Sequence, residues 1–243
     1  MGDDRADTCS PTHRRDRLEP RRTQRTPAAM TDVLDPTPPT TAGRVRELRH
    51  SRGWIFGTML VSALLSLTAS LVLSIEAITL AKDSEAVLGC DINAVISCAT
   101  VANSWQAKLL GFPNAFLGLI AEPVVITIAV ASLGGVRFPR WFMFSAQLVY
   151  LIGVVFAYWL FQQSLMEIGA LCPWCMLVTI STTLVFASLL HFNIREDNLY
   201  LPRGVQRWAK EFVDADNDVI VIAAWLILLA ALVVLKHGAA LFA

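Results

Sequence analysis

The sequence predicts an all-α integral membrane protein with five membrane-crossing helices, and three observations carry that expectation. Of the 243 residues, 55% are hydrophobic and the mean hydropathy is +0.53, well above the apolar share of an ordinary soluble domain. Five apolar stretches, roughly 54–81, 113–135, 141–161, 171–191 and 219–235, are long enough to cross; at 1.5 Å per residue, about 20 residues span a ~30 Å hydrocarbon layer. The charges gather between these stretches. Twenty basic and twenty acidic residues cancel, and no nucleic-acid partner is expected.

Residues 1–43 are rich in Arg, Asp, Thr and Pro, with Pro36, Pro38 and Pro39 close together. That composition predicts a disordered tail. It has no apolar signal-peptide core, and Met30 offers an alternative start. Cys9 is expected to remain a reduced bystander there. Residues 44–191 are expected to form a four-helix core with an outer loop over 82–112, and 192–243 an inner connection and the fifth helix. Of the 20 basic residues, only Lys82, Lys108 and Lys236 fall opposite the tail. By the positive-inside rule the N-terminus is cytoplasmic, the C-terminus is outside, and the loop 82–112 is outside a multi-pass cell-membrane protein.

Trp54 opens the first span, and Glu76, Lys82, Asp83 and Glu85 mark its outer end. The outer segment then carries Cys90 and Cys98. A continuous helix would hold them about 12 Å apart, too far for a disulfide. A bonded pair therefore requires a turn near Asp91 to Asn93, whose side chains suit turns and caps. Beyond it, Val95, Cys98, Val101, Ala102, Trp105 and Leu109 recur at helical spacing. They predict a short amphipathic helix on the membrane surface, with Cys98 facing the bundle.

Asn114 stands at the outer end of the second span, either as a helix cap or as a partner for a polar ligand. Glu122-Pro123 falls near mid-membrane, where a carboxyl is a functional candidate by default or a protonated group bonded to a neighbouring helix beside a proline kink. The third span carries small residues such as Gly153 and Ala157 that allow close packing. The short connection 162–170 makes the third and fourth helices antiparallel neighbours. His191 reads as interfacial, and the mixed-charge stretch 193–218 with Trp208 and Phe212 as a surface helix.

Cys172-Pro173-Trp174-Cys175 opens the fourth span. Thiols three residues apart lie on nearly one helical face, with Cα atoms about 5 Å apart, so the pair opens and closes with little movement. Pro173 suits the first helical position, which leaves Cys172 at the N-terminus, where the helix dipole and free N–H groups favour a thiolate. Cys172 is expected to be the exposed, reactive thiol and Cys175 to lie one turn deeper. Thr179 follows by a further turn, free to serve a ligand or to back-bond to its own helix.

Cys90, Cys98, Cys172 and Cys175 thus gather at the outer face, where disulfides persist. Three readings compete. Static staples suit a membrane scaffold or transporter, for which Glu122 is the best support, but Cys-x-x-Cys at a helix start restrains little chain and exchanges readily. A zinc site is weaker, because spacings of eight and three are not a paired-knuckle pattern. The third is a relay, in which exchange moves two electrons from a soluble protein through the mobile pair to the fixed one. Its acceptor must be membrane-soluble, and a lipid quinone fits.

Cys90-Asp91, Ile96-Ser97-Cys98, Ser104, Pro113-Asn114 with Gly118, and Cys172-Pro173-Trp174-Cys175 together resemble the vitamin K epoxide reductase family over roughly residues 54–191. The resemblance implies four helices around a quinone, menaquinone or ubiquinone, with the fifth helix added. It implies that Cys172 and Cys175 are the catalytic pair, that Cys90 and Cys98 are the loop shuttle, that Ser104 orders the loop, and that Asn114 bonds a quinone carbonyl. Vertebrate members carry tyrosine where this chain has Thr179, which alters that contact and the epoxide chemistry that depends on it. In bacterial members the donor is a thioredoxin-fold dithiol oxidase that introduces disulfides into exported proteins. No fused thioredoxin domain is read in this sequence, so that extracytoplasmic partner is expected to be a separate chain.

Overall fold

A computed structural model describes residues 47–93 and 95–241; the expectations for the tail, Cys9 and Met30 lie outside them. Ser51 caps the first helix, α1 (Arg52–Lys82), by accepting the Trp54 N–H at 3.2 Å. Its buried face runs Phe56, Met59, Ala63, Ser66, Ser70, Ser74, a spacing of three to four that lines one side of a helix. That face packs on α3 (Ala115–Leu133) and α5 (Pro173–Arg195). The α1–α3 approach is close at Gly118, where a Cβ would lie 2.8 Å from Ser70 Cβ. Only a glycine fits there.

α3 contains Pro123 and ends at Gly134, followed by Gly135 at φ +92°, a left-handed conformation that glycine adopts without strain. α4 (Arg140–Gln163) follows Pro139 and continues as one π-helical turn, Ser164–Ile168. Gly169, at φ +69°, ends the turn and sends the chain back into α5. α4 and α5 are neighbours, as the short connection requires.

The predicted surface helix is α6 (Arg203–Asp214), and α7 (Asn217–Leu241) is the fifth span. α7 is tied at both ends. Trp225 Nε1 donates to Tyr158 OH at 2.9 Å, and Val233 packs with Leu165 and Leu171. At its start, Arg49 pairs with Asp216 and Asp218, and Asp218 meets His191 Nδ1 at 2.7 Å. His191, near the end of α5, is buried and stacked on His50.

All five long helices are apolar enough to cross a membrane, and large side chains such as Val61, Ile75, Val149, Ile152, Val155 and Ile227 point outward. Such a surface is matched to lipid rather than water. The molecule is an all-α integral membrane protein. One core cluster, around Phe56, Met59, Met143, Val185 and Leu189, holds the middle of the bundle; a second surrounds the sulfur atoms.

Candidate functional site

The loop that follows α1 is built on hydrogen bonds to two side chains. Asn93 Oδ1 accepts from the N–H groups of Val95 and Ile96, at 2.9 and 2.8 Å, an Asx turn. Asp91 accepts from Leu88 N–H at 2.9 Å, Ser97 Oγ at 2.8 Å and Ala99 N–H at 3.1 Å. Burial pushes the Asp91 carboxyl up, but these donors together hold it below its ordinary value. The turn brings the Cys90 and Cys98 Cα atoms to 5.7 Å, and the two form a disulfide.

The loop is also pinned to the end of the α4–α5 connection. Leu171 N–H donates to Val95 O at 2.7 Å, and Ser97 N–H to Leu171 O at 3.1 Å, forming one parallel bridge, Ile96 to Leu171. Cys98 and Cys172 each follow this bridge directly. Their sulfur atoms stand 3.1 Å apart.

The amphipathic helix expected from Val95 onward is shorter than the sequence suggests. α2 covers only Cys98–Asn103, because Val95 to Ser97 are extended in the bridge. Ser104 then interrupts the helix, donating to Val101 O at 2.6 Å and accepting from Ala107 N–H at 3.4 Å to start a 3-10 turn, Trp105–Lys108. Trp105 and Leu109 are exposed, whereas Cys98 is only 1% exposed and faces the bundle as expected.

Cys172 is the N-cap of α5, and its Sγ accepts the Cys175 N–H at 3.4 Å. The expectation of an exposed thiol is corrected: Cys172 is 1% exposed, because the pinned loop covers it, and the half-buried Cys175 opens on the cavity. The Cys172 sulfur nevertheless accepts an N–H at the positive end of the α5 dipole, a placement that favours a thiolate. Both cysteines of this pair are free.

Below the sulfurs lies a cavity of about 250 Å³ reached by Cys98, Cys172, Cys175, Ser104, Asn114 and Thr179. All three predicted polar ligands thus share one wall system with the thiols. Most of the remaining lining is apolar, including Leu73, Val101, Leu117, Phe156, Leu160 and Val178. Ligand pockets of about 300–1,000 Å³ are usual, so this one suits a ring with its tail left in lipid. Asn114 Nδ2 donates to Gln106 O at 2.6 Å and makes no cap bond; its Oδ1 is buried without a partner. An orphaned amide oxygen in an apolar cavity fits a ligand that presents O–H, as a quinol does. Thr179 Oγ1 is spent on Cys175 O at 3.0 Å, the back-bonded alternative. As placed, the free Asn114 oxygen is an acceptor, so the lining fits the quinol form rather than the quinone carbonyl contact expected of Asn114.

Deeper in the cavity, Glu122 Oε1 accepts from Ser66 Oγ at 2.7 Å and Tyr150 OH at 3.1 Å, which is the neighbour-bonded reading of this carboxyl. Sequence reasoning did not reach Ser66, Tyr150 or Glu76, whose Oε1 lies 3.3 Å from Cys90 Sγ. Glu76 registered there only as a boundary charge. The donor atoms of Glu76, Cys90 and Cys98 lie within 4.8 Å of one another, but sulfurs joined in a disulfide offer a metal no thiolate.

A disulfide and a dithiol in sulfur contact, beside an apolar cavity in a helical membrane bundle, define a membrane thiol–disulfide exchange protein. Residues 58–190, more than half of the chain, match the model of the Vitamin K epoxide reductase family, and the chain belongs to that family. Its chemistry is quinone-linked thiol oxidation and reduction, so the protein is an oxidoreductase. No curated protein gives a match to the chain.

Proposed function

We propose that the protein oxidises a separate, extracytoplasmic thioredoxin-fold dithiol partner and passes the electrons to a membrane quinone, driving disulfide formation in exported proteins. The observation that carries this reading is the 3.1 Å contact between Cys98 and Cys172, with a disulfide on one side of it and Cys175 facing a cavity on the other. The distribution of basic residues supports an orientation with the N-terminus in the cytoplasm and both cysteine pairs outside the cell membrane.

A reduced partner attacks Cys90 and frees Cys98. Cys98 attacks Cys172 of the Cys172–Cys175 disulfide, and the electron pair of that bond leaves on Cys175. The partner's second thiol displaces Cys90 and the partner leaves as a disulfide; Cys90 then attacks Cys98, and the electron pair of the Cys98–Cys172 bond leaves on Cys172. The Cys175 N–H at the start of α5 stabilises thiolate at Cys172. Asn114 orients the ring, Ser104 fixes the loop above it, and Thr179 shapes the wall. A bound quinone supplies a two-electron, two-proton acceptor while Cys172 and Cys175 close again to a disulfide.

The test is purification followed by lipid extraction and assay with two donors. A quinone should co-purify and be reduced in a Cys175-dependent way. Cys90→Ala should abolish oxidation of a thioredoxin-fold partner while a small membrane-permeable dithiol still supports quinone reduction. Equal loss with both donors would overturn the order of the relay, and quinone reduction independent of Cys175 would overturn the function.

A further inference from the structure

Glu76 stands two turns before the end of α1 with its carboxyl beside the sulfur cluster. Oε1 lies 3.3 Å from Cys90 Sγ, and Oε2 is buried with no hydrogen-bond partner among the described residues. Around these sulfurs pack Leu73, Leu80, Leu88, Val101 and Ala170. Among the described residues no Lys, Arg or His forms an ion pair with Glu76. A carboxyl so placed contributes no salt bridge and leaves one oxygen unsatisfied, which makes it a poor structural element. Cys90 in its disulfide carries no proton to share. The contact becomes an S–H···O hydrogen bond only when the loop pair is reduced, so its geometry is already set for the thiol state.

We propose that Glu76 is the general base of the loop pair, taking the proton from the Cys90 thiol so that Cys90 can resolve the Cys98–Cys172 mixed disulfide. This role rests on the relay reading given above. In the step, the Cys90 proton moves to Glu76 Oε1. Cys90 Sγ forms a bond to Cys98 Sγ, the Cys98–Cys172 bond breaks, and its electron pair leaves on Cys172 Sγ, where the α5 N-terminus receives it. One disulfide replaces another, and nothing is oxidised overall. The product has Cys90 bonded to Cys98 and Cys172 free 3.1 Å away, which is the arrangement observed. In reverse, the neutral carboxyl returns the proton to Cys90 as that sulfur leaves.

The experiment uses the full chain in detergent with a reduced thioredoxin-fold dithiol protein as the donor and a soluble quinone as the acceptor, followed by acid quenching, alkylation and peptide mapping of the disulfides. Glu76→Gln should slow turnover about 100-fold or more, the contribution of a lost proton-transfer group, and should accumulate Cys98–Cys172. Glu76→Asp, which keeps a carboxyl, should recover part of the rate and lower that accumulation. A purely structural carboxyl would not change which disulfide accumulates. Normal turnover in Glu76→Gln, or slow turnover without the mixed disulfide, would overturn the proposal. Cys90→Ala separates this failure from that of the relay: it must trap Cys98–Cys172 whatever stands at position 76, and its failure to do so would overturn the relay order itself.

Discussion

Cys98 Sγ and Cys172 Sγ are 3.1 Å apart although 74 residues separate them in sequence. The bridge between Ile96 and Leu171 sets this contact, because each cysteine sits immediately after a hydrogen-bonded residue. Covalent exchange needs an attacking sulfur close to the sulfur attacked, with a leaving sulfur beyond it. Cys90 and Cys175 occupy the two outer places. Cys90 is bonded to Cys98, Cys98 touches Cys172, and Cys175 lies three residues from Cys172, so one bond can be passed from pair to pair.

Removing the last of these sulfurs should trap the middle pair. With Cys175→Ser, Cys172 has no partner within its own turn and its sulfur remains against Cys98. Peptide mapping under non-reducing conditions should find Cys98–Cys172 as a major disulfide, and Cys90 alkylated in proportion. A variant that retains only Cys90–Cys98 would count against exchange between these two sulfurs.

The loop owes its shape to Asp91, which gathers two backbone N–H groups and the Ser97 hydroxyl. A carboxyl depressed by folding contributes stability that is fully present above its unfolded value, about 3.9, and lost as pH falls through the lower folded value. Loop protection in the wild type should therefore stay constant from pH 8 to 5 and fall only below about pH 4. Asp91→Ala should remove it at every pH. Hydrogen exchange over residues 88–99, corrected for intrinsic rates, should run about five- to tenfold faster in the variant, the equivalent of a hydrogen bond worth ~1 kcal/mol. Unchanged exchange would assign the loop's order to the disulfide alone.

The spans were legible because crossing a bilayer demands length and apolarity, and both are written locally. The sulfur pairs were legible from Cys172-Pro173-Trp174-Cys175 and from the turn residues between Cys90 and Cys98. The burial of Cys172 was not, because it depends on Val95 and Ser97 pairing with Leu171 through backbone atoms that carry no side-chain signature. The same holds for Trp105 and Leu109, whose helical spacing is overridden where Ser104 bonds back and turns the chain. Glu76 looked like a charge at a membrane boundary; only the fold brings it to Cys90. The His50–His191–Asp218 contacts likewise join residues remote in sequence.

Close packing at Gly118 yields a prediction about the bundle itself. A Cβ there would lie 2.8 Å from Ser70 Cβ, and that atom cannot swing aside, because it is fixed to the α1 backbone. Gly118→Ala must push α1 and α3 apart. Overpacking of this kind costs about 1–3 kcal/mol. Thermal unfolding in detergent should show that loss, and Ser70→Gly in the Gly118→Ala background should restore part of it. Wild-type stability in the single variant would mean that α3 reaches α1 less closely than described.

Glu122 tests whether the deep carboxyl is held for its hydrogen bonds. It accepts from Ser66 on α1 and Tyr150 on α4, so it joins three helices, and its side chain is buried. Glu122→Gln keeps an amide oxygen able to accept from both hydroxyls. Glu122→Leu keeps the apolar bulk and leaves both hydroxyls unpaired in a medium without water, where an unsatisfied polar group costs about 1–3 kcal/mol. The leucine variant should therefore unfold at markedly lower temperature than the glutamine variant, and Ser66→Ala with Tyr150→Phe in the leucine background should recover much of the loss. If leucine and glutamine are equally stable while both lose quinone reduction, the carboxyl serves the cavity's ligand and its contacts with Ser66 and Tyr150 are incidental.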